Sequence, residues 1–139
     1  MNARTHEVFN QAEALADVDL LRINRPLQDA LGVEMGSATM QRHARLANVH
    51  EPVLHAHDRV GRRVDEVEFH PSYHALLGVA LRHGLHGAPW SGEPLAHVER
   101  AAGFMLFTEA EPSVLCPVSM TYAVTPALRG NPALQAAWG

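Results

Sequence analysis

A chain of 139 residues, 47% of them hydrophobic, is long enough to close one domain around a real core and too short for two independent ones. No apolar run approaches the length of a membrane span, and the first residues lack the basic-then-apolar layout of a signal peptide, so the expected location is cytoplasmic. The net charge is −4 and the basic residues are dispersed, apart from a knot at Arg59, Arg62 and Arg63, which argues against direct nucleic-acid binding.

In chain order, residues 1–25 show little periodicity. Leu15, Val18, Leu20, Leu21 and Ile23 suit an extended apolar arm lying on a surface, such as a neighbouring subunit. Pro26 opens a short helical signal through Leu27, Ala30 and Leu31, with Gly32 as its stop. Ser37 is a good N-cap for a second helix that places Met40, Ala44, Ala47 and Leu46 on one side.

Val53 to His57 and Arg63 to Phe69 then read as the arms of a hairpin, because Asp58-Arg59-Val60-Gly61 joins a turn former to a residue tolerant of positive φ. Val64 and Val67 are out of step for strict alternation, so the second arm carries a bulge or ends near Glu66. Pro71 fits the first position of a helix with His70 as cap, Tyr73, Leu76, Leu77, Ala80 and Leu81 as its apolar stripe, and Gly84 as a left-handed stop.

Gly87 to Pro94 is a loop anchored by Trp90. From Pro94 a helix places Leu95, Val98, Ala102, Met105 and Leu106 on one face, with Glu99 and Arg100 off it and Pro112 as the stop. A last helix starts near Pro117 and presents Met120, Val124 and Leu128, with a kink or an interruption expected at Pro126. Pro132 to Trp138 forms a short tail element. Four or five helices, one hairpin and no βαβ alternation make the class mainly α, in a single domain over residues 1–139.

The ten histidines are the compositional oddity. His55 and His57 share a face if 53–57 is a strand, and His70 and His74 are four apart at a helix start, a spacing that can bring two imidazoles to one metal. Asp58, Glu66 or Glu68 would complete such a site. Against it stand the absence of HExxH and of paired cysteines, and the cap role open to His70, so the purely structural reading is favoured and no metal is assigned. His83, His86 and His97 read as solvated or loop-facing. Cys116, the single cysteine, reads as a buried, inert thiol.

Ser119, Thr121, Tyr122 and Thr125 set hydroxyls on an apolar segment, as a pocket wall would; hydroxyls bonding back to their own helix explain them equally well. Neither Glu109 nor Glu111 reads as half of an acid/base pair. No GxGxxG, P-loop or nucleophile-elbow motif occurs.

Four separated blocks carry a resemblance: THEVFNQ (Thr5 to Gln11), RLANVHEPVL (Arg45 to Leu54), DRVGRRVDEVEFHPSYH with LRHGLHGAPW after it, and CPVSMTYAVTPAL (Cys116 to Leu128). Together, in this order, they resemble the N-terminal domain of adaptive-response (AidB-like) acyl-CoA dehydrogenases, with a longer segment in that family near Gly32 to Gly36. The resemblance implies a helical domain with one small hairpin. It further implies that the middle β domain and C-terminal helical domain are absent, and with them the segments that bind FAD and supply the catalytic carboxylate.

FAD is therefore expected of the full-length family, and no cofactor-binding or catalytic residue is assigned to this chain alone. Met120 and Thr121 match a part of the family near the active-site side and are carried over as pocket-lining residues only. The partners implied are the missing domains or a separate subunit, with homo-oligomers in full-length relatives, and neither membrane nor nucleic acid for this chain.

Two readings follow. In one, the chain is the N-terminal domain or a truncated form of a flavoenzyme, inactive alone, that walls an acyl pocket and packs on missing domains. In the other it is a stand-alone interaction module of the same fold, with or without a metal held by His55, His57, His70 and His74. The first expects an exposed apolar face on the later helices; the second expects a fully covered core.

Overall fold

The computed structural model describes residues 25–138, with side chains from Asp29 onward. The expectation of an apolar arm in the preceding residues lies outside that range. Six α-helices and one two-stranded sheet follow in order: α1 Arg25–Met35, α2 Ala38–Val49, β1 Val53–His57, β2 Arg63–Glu68, α3 Pro71–Arg82, α4 Ala96–Thr108, α5 Leu115–Leu128 and α6 Pro132–Trp138. A single 3₁₀ turn, Ala88–Ser91, separates α3 from α4. The class is mainly α with one antiparallel hairpin, as the residue pattern and the resemblance both imply.

Helix α1 does not stop at Gly32. A glycine inside a helix costs about 1 kcal/mol relative to alanine. Carrying the helix through it brings Leu31 and Met35, 2% and 0% exposed, into the core, a larger gain. The turn ends on Gly36, whose N–H donates to the Gly32 carbonyl at 2.9 Å. Ser37 then caps α2 as expected, its Oγ accepting from the Met40 amide at 3.2 Å.

The hairpin closes through Asp58. Its backbone pairs with Arg62 at 2.8 Å and with Gly61 at 3.1 Å. Its carboxylate accepts from the Val60 and Arg62 amides, both at 2.9 Å. Gly61 supplies the left-handed position at φ +82°. The expected bulge lies between His55 and His57 on the facing strand, where Val64 and Asp65 oppose Ala56 alone and Asp65 takes φ +48°. The extra residue brings Val64 and Val67 into step on one face, and β2 runs on to Glu68 instead of ending near Glu66.

Helix α3 has the expected ends. His70 Nδ1 accepts from the Ser72 amide at 3.1 Å with Pro71 at the first position. At the other end Gly84, φ +71°, lets the Leu85 amide reach the Ala80 carbonyl and its own amide reach Leu81, both at 3.0 Å. The buried face differs from the expected stripe. Ser72, Leu76, Val79 and Ala80 are buried, whereas Leu81 is 41% exposed. Reading apolar residues alone missed Ser72, whose hydroxyl is satisfied by a ring nitrogen of His43 at 2.9 Å.

Helix α4 is rotated from its expected face in the same way. Ala96, Gly103, Leu106 and Phe107 are buried, Leu95 and Met105 are exposed, and Glu99 and Arg100 fall on the inner side. Arg100 belongs there because its Nε donates to the Leu85 carbonyl at 2.7 Å, leaving its stem to pack. The helix ends at Thr108, short of Pro112.

Helix α1 packs against α4, α2 against α3, and α3 against α5, around a core centred on Met35, Leu76, Val79, Phe107, Val114 and Val118. Glu34 ties α1 to the end of α3. Burial alone would raise its carboxyl, but hydrogen bonds from His83, at 2.8 Å, and from Arg82 outweigh that and hold it below the ordinary carboxylate value. No helix among the described residues is long and apolar enough to cross a membrane.

Candidate functional site: the open side of helix α5

Helix α5, LCPVSMTYAVTPAL, carries no charged residue and is apolar around most of its circumference. Such a helix should be covered on every side. Leu115 and Val118 are buried in the core, yet Met120 is 69% exposed and Val124 41% exposed. Cys116, Met120, Ala123, Val124 and Ala127, at spacings of three and four, are all exposed and form one small-residue stripe. In α6, Leu134 and Trp138 continue the apolar surface at 47% and 79% exposure. Cys116 is therefore exposed, contrary to the expected buried thiol; it occupies the first turn of α5 one position from the core-facing Leu115.

The helix is held at both ends, at its start by Glu111, to which sequence reading gave no role, and near its end by Trp90. Before its start, Glu111 is 1% exposed and accepts from the Val114 amide and from Asn48 Nδ2, each at 3.1 Å. Its burial raises the carboxyl pKa, but hydrogen bonds from Ser113, Val114 and Asn48 outweigh this and leave it below the ordinary value. Glu111 thus stays ionised as a bridge between α2 and the start of α5. A glutamate just before a proline gives no such signal in sequence, because its partner Asn48 is 63 residues away.

Near the other end, Pro126 does not interrupt the helix, which runs through it to Leu128. Pro126 has no N–H to give to the Tyr122 carbonyl, and the Trp90 indole takes its place, donating to that oxygen at 2.8 Å. Trp90 is thus the anchor expected of its loop, and the anchorage has a specific chemical object.

Tyr122 lies between Trp90, stacked at 4.8 Å, and the Arg100 guanidinium, 3.9 Å from its ring centre. Arg129 covers the outer face of Trp90 at 4.9 Å, and Arg100 also lies over Phe104 at 4.8 Å. The resulting order is Arg129, the stacked pair Trp90 and Tyr122, Arg100 and then Phe104, with each guanidinium over a ring. His97 joins from the side, exposed as its solvated reading expects, and hydrogen-bonded to the Tyr122 hydroxyl at 2.7 Å.

The hydroxyls sort accordingly. Thr121 donates back to the Pro117 carbonyl at 3.1 Å, as the structural reading expects, while Ser119 faces Arg100 at 3.4 Å. Met120 and Thr121 are both exposed, on the side of α5 that nothing among the described residues covers.

The histidines do not converge on a metal. His55 pairs with Glu68 at 2.7 Å, and His57 is exposed in register with Arg63. His70 spends Nδ1 on the α3 cap and stacks on His50 at 4.6 Å, while His74 lies edge-on to Phe69 and Tyr73. Among the described residues no three His, Cys, Asp or Glu side chains are placed to hold an ion, so the four histidines of the metal-assisted reading are not brought together as one site. His83, expected to be solvated, is 13% exposed and bound to Glu34.

A flavin finds no place in the cavity lined by Leu31, Leu85, Ala96, Glu99, Arg100 and Gly103. At about 50 Å³ it is far below the roughly 300 Å³ of a small-molecule site.

Comparison with known proteins agrees with this architecture. A family model described as the adaptive response protein AidB N-terminal domain matches residues 28–139. AidB of Escherichia coli (strain K12), whose name places it among the acyl-CoA dehydrogenases, is 36% identical over 145 residues, covering 92% of this chain. The chain spans about a quarter of that relative's length, 27%. The chain belongs to the AidB N-terminal domain family.

Proposed function

We propose that this chain acts as the N-terminal helical domain of an FAD-dependent, AidB-like acyl-CoA dehydrogenase, in the cytoplasm. The open side of α5 walls an acyl pocket through Met120 and Thr121 and packs on the middle β domain and C-terminal helical domain of such an enzyme. Residues 1–139 work as one domain in this reading, and the chain alone neither holds FAD nor oxidises acyl-CoA. One observation carries it: an uncharged helix whose ends are fixed by Glu111 and Trp90, yet whose stripe from Cys116 to Ala127 is bare. A stand-alone module would have covered that stripe or made it polar.

The test is reconstitution. The purified chain is mixed with a polypeptide comprising the remaining three quarters of the Escherichia coli relative, and flavin content and acyl-CoA oxidation are followed for each part and for the mixture. The reading expects no flavin with the chain alone and a stable complex in the mixture, with substrate affinity altered by Met120→Asp. Stoichiometric flavin on the chain alone, or failure of the two parts to associate, contradicts it.

A further inference from the structure

The stretch beyond Pro126 is bonded within itself and lightly attached to the body. Helix α6 buries no residue and packs chiefly against α5. Its link to the last turn of α5 is tight. The Asn131 amide donates to the Leu128 carbonyl at 2.9 Å, and Asn131 accepts the Leu134 amide on Oδ1 at 3.2 Å and the Gln135 amide on its carbonyl at 2.9 Å. Residues 127–138 therefore form one piece.

That piece begins where α5 is weakest. A proline inside a helix removes one backbone hydrogen bond and crowds the carbonyl four residues before it, so helices bend most readily there. In α5 that carbonyl belongs to Tyr122. Trp90 spans the weak point. Its indole N–H donates to the Tyr122 carbonyl at 2.8 Å, its ring stacks on Tyr122 at 4.8 Å, and the Arg129 guanidinium lies over it at 4.9 Å. Tyr122 precedes the proline and Arg129 follows it, so one side chain from outside the helix grips both sides. The 3₁₀ turn that carries Trp90 belongs to the fixed part of the fold, with Pro89 buried and the turn packed on α4.

We propose that Pro126 is a hinge and Trp90 its clasp, so that residues 127–138 swing as a unit when the indole lets go. The hydrogen bond and the cation–π contact together favour the closed angle by about tenfold or more. Without them the open and closed angles are comparable, because α6 buries nothing that would choose between them. Leu134 and Trp138, both exposed, travel with the piece. If α5 faces the rest of a larger enzyme, as in the function proposed above, the clasp sets the angle at which these two residues meet it. The hinge itself is tested on the chain alone and does not depend on that reading.

NMR residual dipolar couplings of the full 139-residue chain report the orientation of each helix relative to the others. In the wild type, the couplings of residues 127–138 should fit the same alignment as those of α1 to α4. In Trp90→Ala they should shrink by about a third or more, the contrast between rigid and mobile backbone, while residues 115–121 and α1 to α4 keep the common alignment and serve as the control for folding. Arg129→Ala, at an exposed position, should shrink them less. Pro126→Ala supplies the amide that the Tyr122 carbonyl lacks and should return the couplings of Trp90→Ala to wild-type size. Couplings of 127–138 that stay unchanged in Trp90→Ala overturn the proposal. A loss spread over the whole of α5 does so too, since it makes Trp90 a packing residue without a hinge. Failure of Pro126→Ala to restore the couplings overturns it as well, because the motion is then not at the proline.

Discussion

If the Trp90 indole stands in for the amide that Pro126 lacks, the two residues are energetically coupled, and a double-mutant cycle measures the coupling. Trp90→Phe removes the donor 2.8 Å from the Tyr122 carbonyl while keeping an aromatic ring against Tyr122 and Arg129. The lost hydrogen bond is worth about 1 kcal/mol net, and stranding a half-buried carbonyl raises the cost toward 2. Reduced stacking and cation–π contact add about 0.5 to 1 kcal/mol. The sum, about 2 kcal/mol, corresponds to a fall in Tm of roughly 6 to 8 °C for a domain of this size.

Pro126→Ala restores the N–H, so in that background Trp90→Phe should lose only the stacking part. Urea unfolding of the four proteins should give a coupling of about 1 kcal/mol or more. Additivity within about 0.3 kcal/mol would refute the substitution of indole for amide and leave Trp90 as a packing residue only.

Glu111→Gln keeps the shape of the bridge but weakens its acceptors, and should cost about 1 to 3 kcal/mol at neutral pH by denaturant unfolding. Since the folded carboxyl titrates below its ordinary value of 4.5, the folded state binds fewer protons, so this stability is fully present above that pH and fades as pH falls through the lower folded value. The difference between wild type and Glu111→Gln should shrink over that acid range, and a difference constant with pH would contradict it. Gly84→Ala combines φ +71° with a Cβ placed 2.7 Å from that of Ala88, and should lower stability by about 1 to 2 kcal/mol in the same assay. Met120→Asp should change the stability of the isolated chain by no more than about 0.5 kcal/mol, because the side chain touches little there.

Local chemistry made much of the fold legible. Ser37, Pro71, Gly61 and Gly84 each have one conformational use, and each is where that use predicts. The broken alternation at Val64 and Val67 foretold the bulge, whose extra residue returns both valines to one face of the hairpin. Helix faces were less legible. The expected stripes of α3 and α4 counted apolar residues only, whereas the packed faces include Ser72 and Arg100, both satisfied by partners far along the chain.

The site divides along the same line. Composition announces α5 as a helix needing cover, and Met120 and Thr121 are exposed on its bare side. Glu111, Trp90 and His97 act through contacts with Asn48 and with Tyr122 that no local pattern encodes. Cys116 was misread because small apolar residues surround it, and in α5 that character extends to the uncovered side.

That exposed thiol also provides the most direct test of the central claim. Cys116 lies one turn before Met120 on the bare stripe, and it is the single cysteine of the chain. Its alkylation rate should be measured in the isolated chain and again in complex with the remaining three quarters of the relative. The account predicts fast labelling alone and strong protection in the complex; an unchanged rate in a demonstrated complex would show that the other domains dock elsewhere, and that α5 is not the wall proposed here.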